Sequence, residues 1–213
     1  MKILVIAPHP DDEVLGMGGT IKKLSPKNNI TLLIMTDGAS AQYSDKKMIK
    51  VRKESCKKSS KILGISEIKF LNFKDMKLDS VPQLEINQEI EKIIKKIQPK
   101  IVFTSPKNDL NRDHGVTFNS TLVATRPSSS GVKKVFSYEL PGYTKKPFSP
   151  NHYEDITKQF VHKIKAFKMY KSEIMKFPHP RSLKAIENLA IMRGIDCNSE
   201  KAEAFHLVHS INE

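Results

Sequence analysis

The chain has 213 residues, 38% hydrophobic and 28% charged, the proportions of a folded globular chain, which exclude a mini-protein or a disordered polymer. Lysine and arginine number 36 against 23 acids, so 36 − 23 = +13, a balance that favours anionic partners such as phosphate esters, acidic sugars, nucleic acid or a lipid surface. Cys56 and Cys197 sit in no CxxC motif, the apolar run at residues 3–7 is too short for a signal peptide, and no segment approaches the ~18 apolar residues of a spanning helix.

Apolar runs rich in β-branched residues alternate with segments of helical period, the pattern of βαβ units. Residues 2–7 read as the first strand, 14–24 as a helix entered through Gly16, Gly18 and Gly19, and 30–36 as the second strand, ended by Asp37-Gly38. A basic amphipathic helix is predicted over 45–63, stopped by Gly64, and a third strand over 68–71. Pro82 opens a helix whose apolar residues Leu84, Ile86, Ile90, Ile93, Ile94 and Ile97 recur at helical spacing until Pro99. The fourth strand is 101–104, followed by a helix over 115–124, a strand over 132–140 and a long surface loop over 141–151 near the site. Ile156, Phe160, Ile164, Phe167 and Ile174 mark one long helix, and 183–193 a shorter one. The expected fold is α/β: a single Rossmann-like domain over residues 1–213, with a mostly parallel sheet flanked by helices. A cytoplasmic protein is expected.

In an open parallel sheet, ligands bind outside the carboxyl ends of the strands. Two ionisable segments fall there. His9-Pro10-Asp11-Asp12-Glu13 follows the first strand, and Asn108-Asp109-Leu110-Asn111-Arg112-Asp113-His114 follows the fourth. If those strands are neighbours, His9, Asp12 and His114 reach one point and form a three-ligand set, which in catalytic zinc sites leaves a fourth position open. Either segment alone also fits a helix start, with Asp capping free N–H groups. Gly16-Met17-Gly18-Gly19 misses the G-x-G-x-x-G spacing of a dinucleotide site, and pyrophosphate there would meet three carboxylates.

These residues resemble the PIG-L/LmbE-like zinc-dependent N-deacetylases. The likeness includes Ala7-Pro8-His9-Pro10-Asp11-Asp12-Glu13, Thr36-Asp37-Gly38, Val51-Arg52-Lys53-Glu54, Asn111-Arg112-Asp113-His114, Arg126-Pro127 and Ala202-Glu203-Ala204-Phe205. The resemblance implies hydrolysis of the acetyl group from an N-acetylglucosamine-type derivative, with His9, Asp12 and His114 as metal ligands. Asp11 would be the general base and Glu13 a supporting residue. Zinc is the implied ion and iron(II) the alternative; zinc activates water and polarises the amide carbonyl. Many members carry His-x-Asp-His where this chain has Asn111-Arg112-Asp113-His114. Asn111 can donate a hydrogen bond but cannot shuttle a proton, so another acid serves the leaving amine, most simply Asp11, or turnover is slow. Asp113 is expected to hold His9 or His114. Arg52, Glu54, Arg126 and Glu139 are placed near the mouth as sugar contacts, while His152, His162, His179, His206 and His209 read as surface or packing residues. The expected partner is a small amino-sugar substrate, anionic if the basic helix after the second strand borders the crevice, with Arg52 gripping the anion. Homo-oligomers are allowed, and no nucleic-acid partner is expected. Rival readings are an amidase for a larger thiol conjugate and a non-catalytic, basic nucleic-acid-binding α/β module.

Overall fold

The structure, a computed structural model, describes residues 1–41, 43 and 47–212. Among them seven strands form one sheet: β1 (Lys2–Ala7), β2 (Asn29–Thr36), β3 (Glu67–Phe73), β4 (Ile101–Thr104), β5 (Lys134–Tyr138), β6 (His152–Asp155) and β7 (Ala202–Ser210). Their spatial order is β3-β2-β1-β4-β5-β7-β6. The first five run parallel, with Ile3 opposite both Ile30 and Ile101, whereas β7 is antiparallel to both β5 and β6. The chain winds outward from β1 in both directions, so the strand order reverses between β1 and β4. That reversal opens a crevice at their carboxyl ends.

Strand β1 is buried on both faces, as its unbroken apolar run Ile3–Ala7 requires. Ile3, Val5 and Ala7 pack toward α1 (Asp12–Leu24) and α5 (Phe160–Phe167), joined by Val14, Ile21, Phe160 and Phe167. Leu4 and Ile6 pack on the other face against Ile86, Ile90, Ile94 and Ile97 of α3 (Gln83–Ile97) and Ala124 of α4 (Arg112–Ala124). The remaining helices are α2 (Lys47–Leu63) and α6 (Leu183–Asp196). The expected first residues of the basic helix, Asp45 and Lys46, lie outside the described residues.

Two expectations need correction. The long helix over 156–174 is broken: α5 ends at Phe167, and a 3₁₀ turn covers Lys171–Glu173. The break turns the chain so that Tyr170 donates to Glu13 Oε1 at 2.7 Å and Glu173 reaches Arg52. Strands β6 and β7 were not expected, because both mix charged residues or His with apolar ones instead of showing a β-branched run.

Helix α1 is interrupted at Met17, whose φ of −149° is not helical. In an unbroken helix the Gly19 N–H would donate to the Leu15 carbonyl. Here the Glu203 carboxylate accepts the N–H groups of Gly19 and Thr20 at 3.0 and 2.7 Å, and Lys163 Nζ donates to Leu15 O at 2.8 Å and to Glu203 at 2.6 Å. A buried ion pair thus serves the backbone groups at the kink. No side chain fits at Gly16 or Gly19 without a shift, since a Cβ would meet Tyr138 at 2.4 Å and Ile156 at 2.7 Å.

Candidate active site

The turn after β1 is held from both sides. The Pro8 carbonyl accepts the Thr36 N–H at 3.0 Å and its hydroxyl at 2.9 Å, and the His9 carbonyl accepts the Asp12 N–H at 3.3 Å. Asp11 takes a φ of 127°, a backbone conformation that costs about 1–3 kcal/mol outside glycine. Glu13 Oε2 secures it by accepting the Asp11 N–H at 3.0 Å. Gly38 lies against Pro10, where a Cβ would come within 2.3 Å of the ring, so the Thr36-Asp37-Gly38 turn closes directly over the segment.

Strands β1 and β4 are neighbours, and the two segments meet. His9 Nδ1 and Asp12 Oδ2 are 3.2 Å apart, His9 Nδ1 and His114 Nε2 3.3 Å, and His114 Nε2 and Asp12 Oδ2 3.4 Å. Ligands ~2.0–2.1 Å from a tetrahedral ion stand ~3.3–3.4 Å from one another, so this triangle has the dimensions of one face of a zinc tetrahedron. The outer ring nitrogens are held by carboxylates, the usual support of ligating histidines. His9 Nε2 lies 3.1 Å from Asp113 and 3.2 Å from Asp75, and His114 Nδ1 lies 2.9 Å from Asp109. Asp113 is itself fixed by the N–H groups of Met76 at 2.8 Å and Leu78 at 3.0 Å. Two imidazoles and a carboxylate suit zinc or iron(II).

Burial opposes the charge on all three donors, but their mutual attraction outweighs it. His9 is raised well above the ordinary histidine value by Asp113, Asp12 and Asp75, His114 is raised to about 9 by Asp12 and Asp109, and Asp12 is held well below the usual carboxylate range by the two histidines. Asp11 stands beside this set. Burial pushes its carboxyl up to about 6 against the pull of Arg181 and Arg52, whose nitrogens lie 3.6 and 3.5 Å away. Burial also raises Glu13, to about 7.

A cleft of about 380 Å³ opens over the ligands, lined by Asp12, Asn111, His114, Tyr43, Tyr143, His179 and Arg181 among others. Its volume is that of a small-molecule site. Asn111 caps α4, its side-chain oxygen accepting the Asp113 N–H at 3.0 Å. The four expected sugar contacts lie outside this cleft. Arg52 is buried behind Asp11, donating to Pro10 O at 2.6 Å and pairing with Glu173, so it faces the base and not the mouth. Glu54 is exposed on α2 and pairs with Lys57 at 2.7 Å. Arg126 follows the C-terminal end of α4, some 13 residues or roughly 20 Å along the helix from the site at its N-terminal end. Glu139 follows β5 at the correct sheet edge, but both its oxygens are taken by Arg193 at 2.6 and 2.7 Å.

Asp75, Glu173, Arg181 and Tyr170 were not anticipated, nor was the hold of Asp109 on His114. Asp75 lies just beyond the carboxyl end of β3, so the rule that singled out His9 and His114 also points to it. Arg181 and Glu173 come from loops after α5 and carry no local signal. His179, expected to be surface or packing, lines the cleft.

The family model described as GlcNAc-PI de-N-acetylase, PIG-L, matches residues 4–125. The chain is 39% identical over 106 residues to diacetylchitobiose deacetylase of Thermococcus kodakarensis, an alignment covering 47% of this chain and 39% of that protein. It is 32% identical over 180 residues to the uncharacterized deacetylase YaiS of Escherichia coli, covering 80% of this chain and 90% of the relative. Among solved structures, N,N'-diacetylchitobiose deacetylase from Pyrococcus horikoshii, complexed with its inhibitor MPG, superposes with a TM-score of 0.83 at 26% identity, covering 98% of this chain and 84% of that one. The chain belongs to the PIG-L family and is a hydrolase of the N-deacetylase class.

Proposed function

We propose that residues 1–213 act as one cytoplasmic, metal-dependent deacetylase domain that removes the acetyl group from an N-acetylated amino sugar. The observation that carries this reading is the convergence of His9 Nδ1, Asp12 Oδ2 and His114 Nε2 beside a buried, singly placed carboxylate, Asp11. A zinc or iron(II) ion held by these three residues supplies Lewis-acid polarisation of the amide carbonyl.

The protein's own residues do the rest. Asp11, with a pKa of about 6, is mostly ionised near neutral pH yet basic enough to take the proton of the attacking water. Arg52 and Arg181 lie 3.5 and 3.6 Å from its two oxygens and favour its ionised form. Asp109, Asp113 and Asp75 orient the imidazoles. The Asn111 oxygen is committed to the cap, which leaves its amide N–H₂ to donate to the oxyanion that develops as the carbonyl is attacked. An anionic substrate group fits beside the cleft, where Lys50, Lys58 and Lys171 line a basic trough that shares Ser172 with it; these lysines replace Arg52 as the grip.

Metal analysis of chelator-free protein with an assay on an N-acetylglucosamine derivative tests the reading. About one ion per chain together with acetate release is expected. Metal-free protein that grips DNA at physiological salt would instead favour the nucleic-acid module. Asp11→Asn is expected to keep its metal and lose turnover by roughly 10²-fold or more.

A further inference from the structure

Across a ribbon that borders the cleft lies a second cavity, of about 370 Å³, which the deacetylase reading does not use. The ribbon joins residues 108–110 to 143–145. Asp109 pairs with Thr144 in an antiparallel bridge, the Lys145 N–H donates to Asn108 O at 2.7 Å, and the Leu110 N–H donates to Tyr143 O at 3.1 Å. Asp109, Leu110 and Tyr143 border the cleft, whereas Asn108 and Thr144 border the second cavity. We propose that this cavity binds a small aromatic acid, a flat ring system bearing a single anionic head group. The proposal goes beyond the deacetylase reading and does not depend on it.

The cavity exists because the two faces of the sheet are covered unequally. Helices α1, α2, α5 and α6 all pack into the core on one face, and α3 and α4 cover the other. Beyond α4 on that second face, residues 146–149 stand over Ser137 of β5 and Val208 of β7. This roof is pinned. His206 Nδ1 donates to Ser149 O at 3.2 Å, the Asn151 N–H donates to Phe205 O at 3.0 Å, and Asn151 Oδ1 accepts the Leu207 N–H at 2.7 Å. With the ribbon bonds at its other end, the segment is held on both sides and the cavity is preformed.

Its lining selects the ligand. Phe118, Leu122, Phe148 and Val208 give it apolar walls, extended by the rings of Pro106 and Pro147. Such walls accept a flat ring and offer a sugar few partners. The lining cations Lys107 and Lys146 are exposed at the rim, and no carboxylate lines the cavity with them. Neither ammonium pairs with an acid among the described residues. Two lysines suit one carboxylate or sulfonate and are too few for a polyphosphate. The walls supply affinity, and the lysines supply the choice of an anion over a neutral ring.

Naphthalene-2-sulfonate is the probe, because a sulfonate is a poor ligand for zinc or iron(II) and so leaves the proposed metal centre alone. Calorimetric titration of the full chain should show one saturable site. 2-Naphthylmethanol keeps the ring without the charge and methanesulfonate the charge without the ring, and each should bind at least about tenfold more weakly. Lys107→Glu combined with Lys146→Glu should weaken the sulfonate about tenfold and leave 2-naphthylmethanol within about twofold. Intermolecular NOEs are expected from the naphthyl protons to the methyl groups of Leu122 and Val208. Equal binding of the two sulfonates would reduce the effect to the attraction of any anion by a chain of charge +13. That result overturns the proposal, as do NOEs confined to another cavity, a double variant that binds like the parent, or no saturable binding up to about 1 mM. Acetate release from an N-acetylglucosamine derivative is a separate readout, so failure of the deacetylase reading would leave this site standing.

Discussion

At its N-terminal end, α1 starts from a turn where His9, Asp12 and His114 meet at 3.2–3.4 Å and where Asp75, Asp109 and Asp113 crowd the outer nitrogens. At its kink, the same helix meets Lys163 and Glu203, whose charges cancel and which also bond the Leu15 carbonyl and the Gly19 and Thr20 N–H groups. Both clusters are buried and ionic. In the first, four carboxylates face two imidazoles, and the inner atoms of three residues aim at a shared point, an arrangement that a cation relieves. In the second, every charge is answered by the protein itself. Buried charge marks a site where its balance needs something from outside, and a scaffold where it closes internally.

Removing a donor from the first cluster should have the largest effect. His9→Ala, Asp12→Ala and His114→Ala are each expected to abolish metal occupancy at one ion per chain, read by elemental analysis, because two protein ligands hold zinc poorly. Full occupancy in any of the three would remove that residue from the ligand set. Glu203→Gln, in the second cluster, leaves the Lys163 charge buried and unpaired and is expected to cost about 3–5 kcal/mol in denaturant unfolding. A loss below about 1 kcal/mol would show that the pair is better solvated than its burial implies. Asp109→Asn tests the support of the first cluster more gently. His114 should keep its place with weaker orientation, and metal affinity should fall about 10–100-fold in a competition titration. Arg126→Ala, which belongs to neither cluster, should shift stability by less than about 0.5 kcal/mol and leave kcat/KM unchanged. A clear kinetic effect there would extend the site to the far end of α4.

Much of the first cluster was legible in the sequence because its chemistry is local in kind. His9, Asp12 and His114 sit directly after apolar strands, and the rule placing ligands at strand carboxyl ends brings them together once β1 and β4 pair. Asp113 was legible as a partner for a histidine for the same reason. The second cluster was not legible. Lys163 lies in a helix of ordinary period and Glu203 in a strand without a β-branched run, and only the fold brings them within 2.6 Å. The misplaced sugar contacts failed on the same ground. Arg52, Glu54, Arg126 and Glu139 are polar residues near recognisable motifs, but helix phase and sheet edge decide which of them faces solvent, salt bridge or cleft. The antiparallel edge formed by β6 and β7 escaped notice because a strand that owes its place to its neighbours need not advertise itself in composition.

The kink in α1 also limits how the molecule can be divided. The proposed metal ligands, the proposed base and the carboxylates that orient them all fall within residues 4–125, the span of the family match. The groups that answer the broken helix at Leu15, Gly19 and Thr20 come from residues 163 and 203. A cassette of 4–125 transplanted into another scaffold would carry the proposed ligands, the proposed base and the carboxylates that orient them, but neither Arg181 beside Asp11 nor the splint that shapes the turn. The recognisable signature is therefore shorter than the portable unit, and grafting this site means carrying α5 and β7 with it.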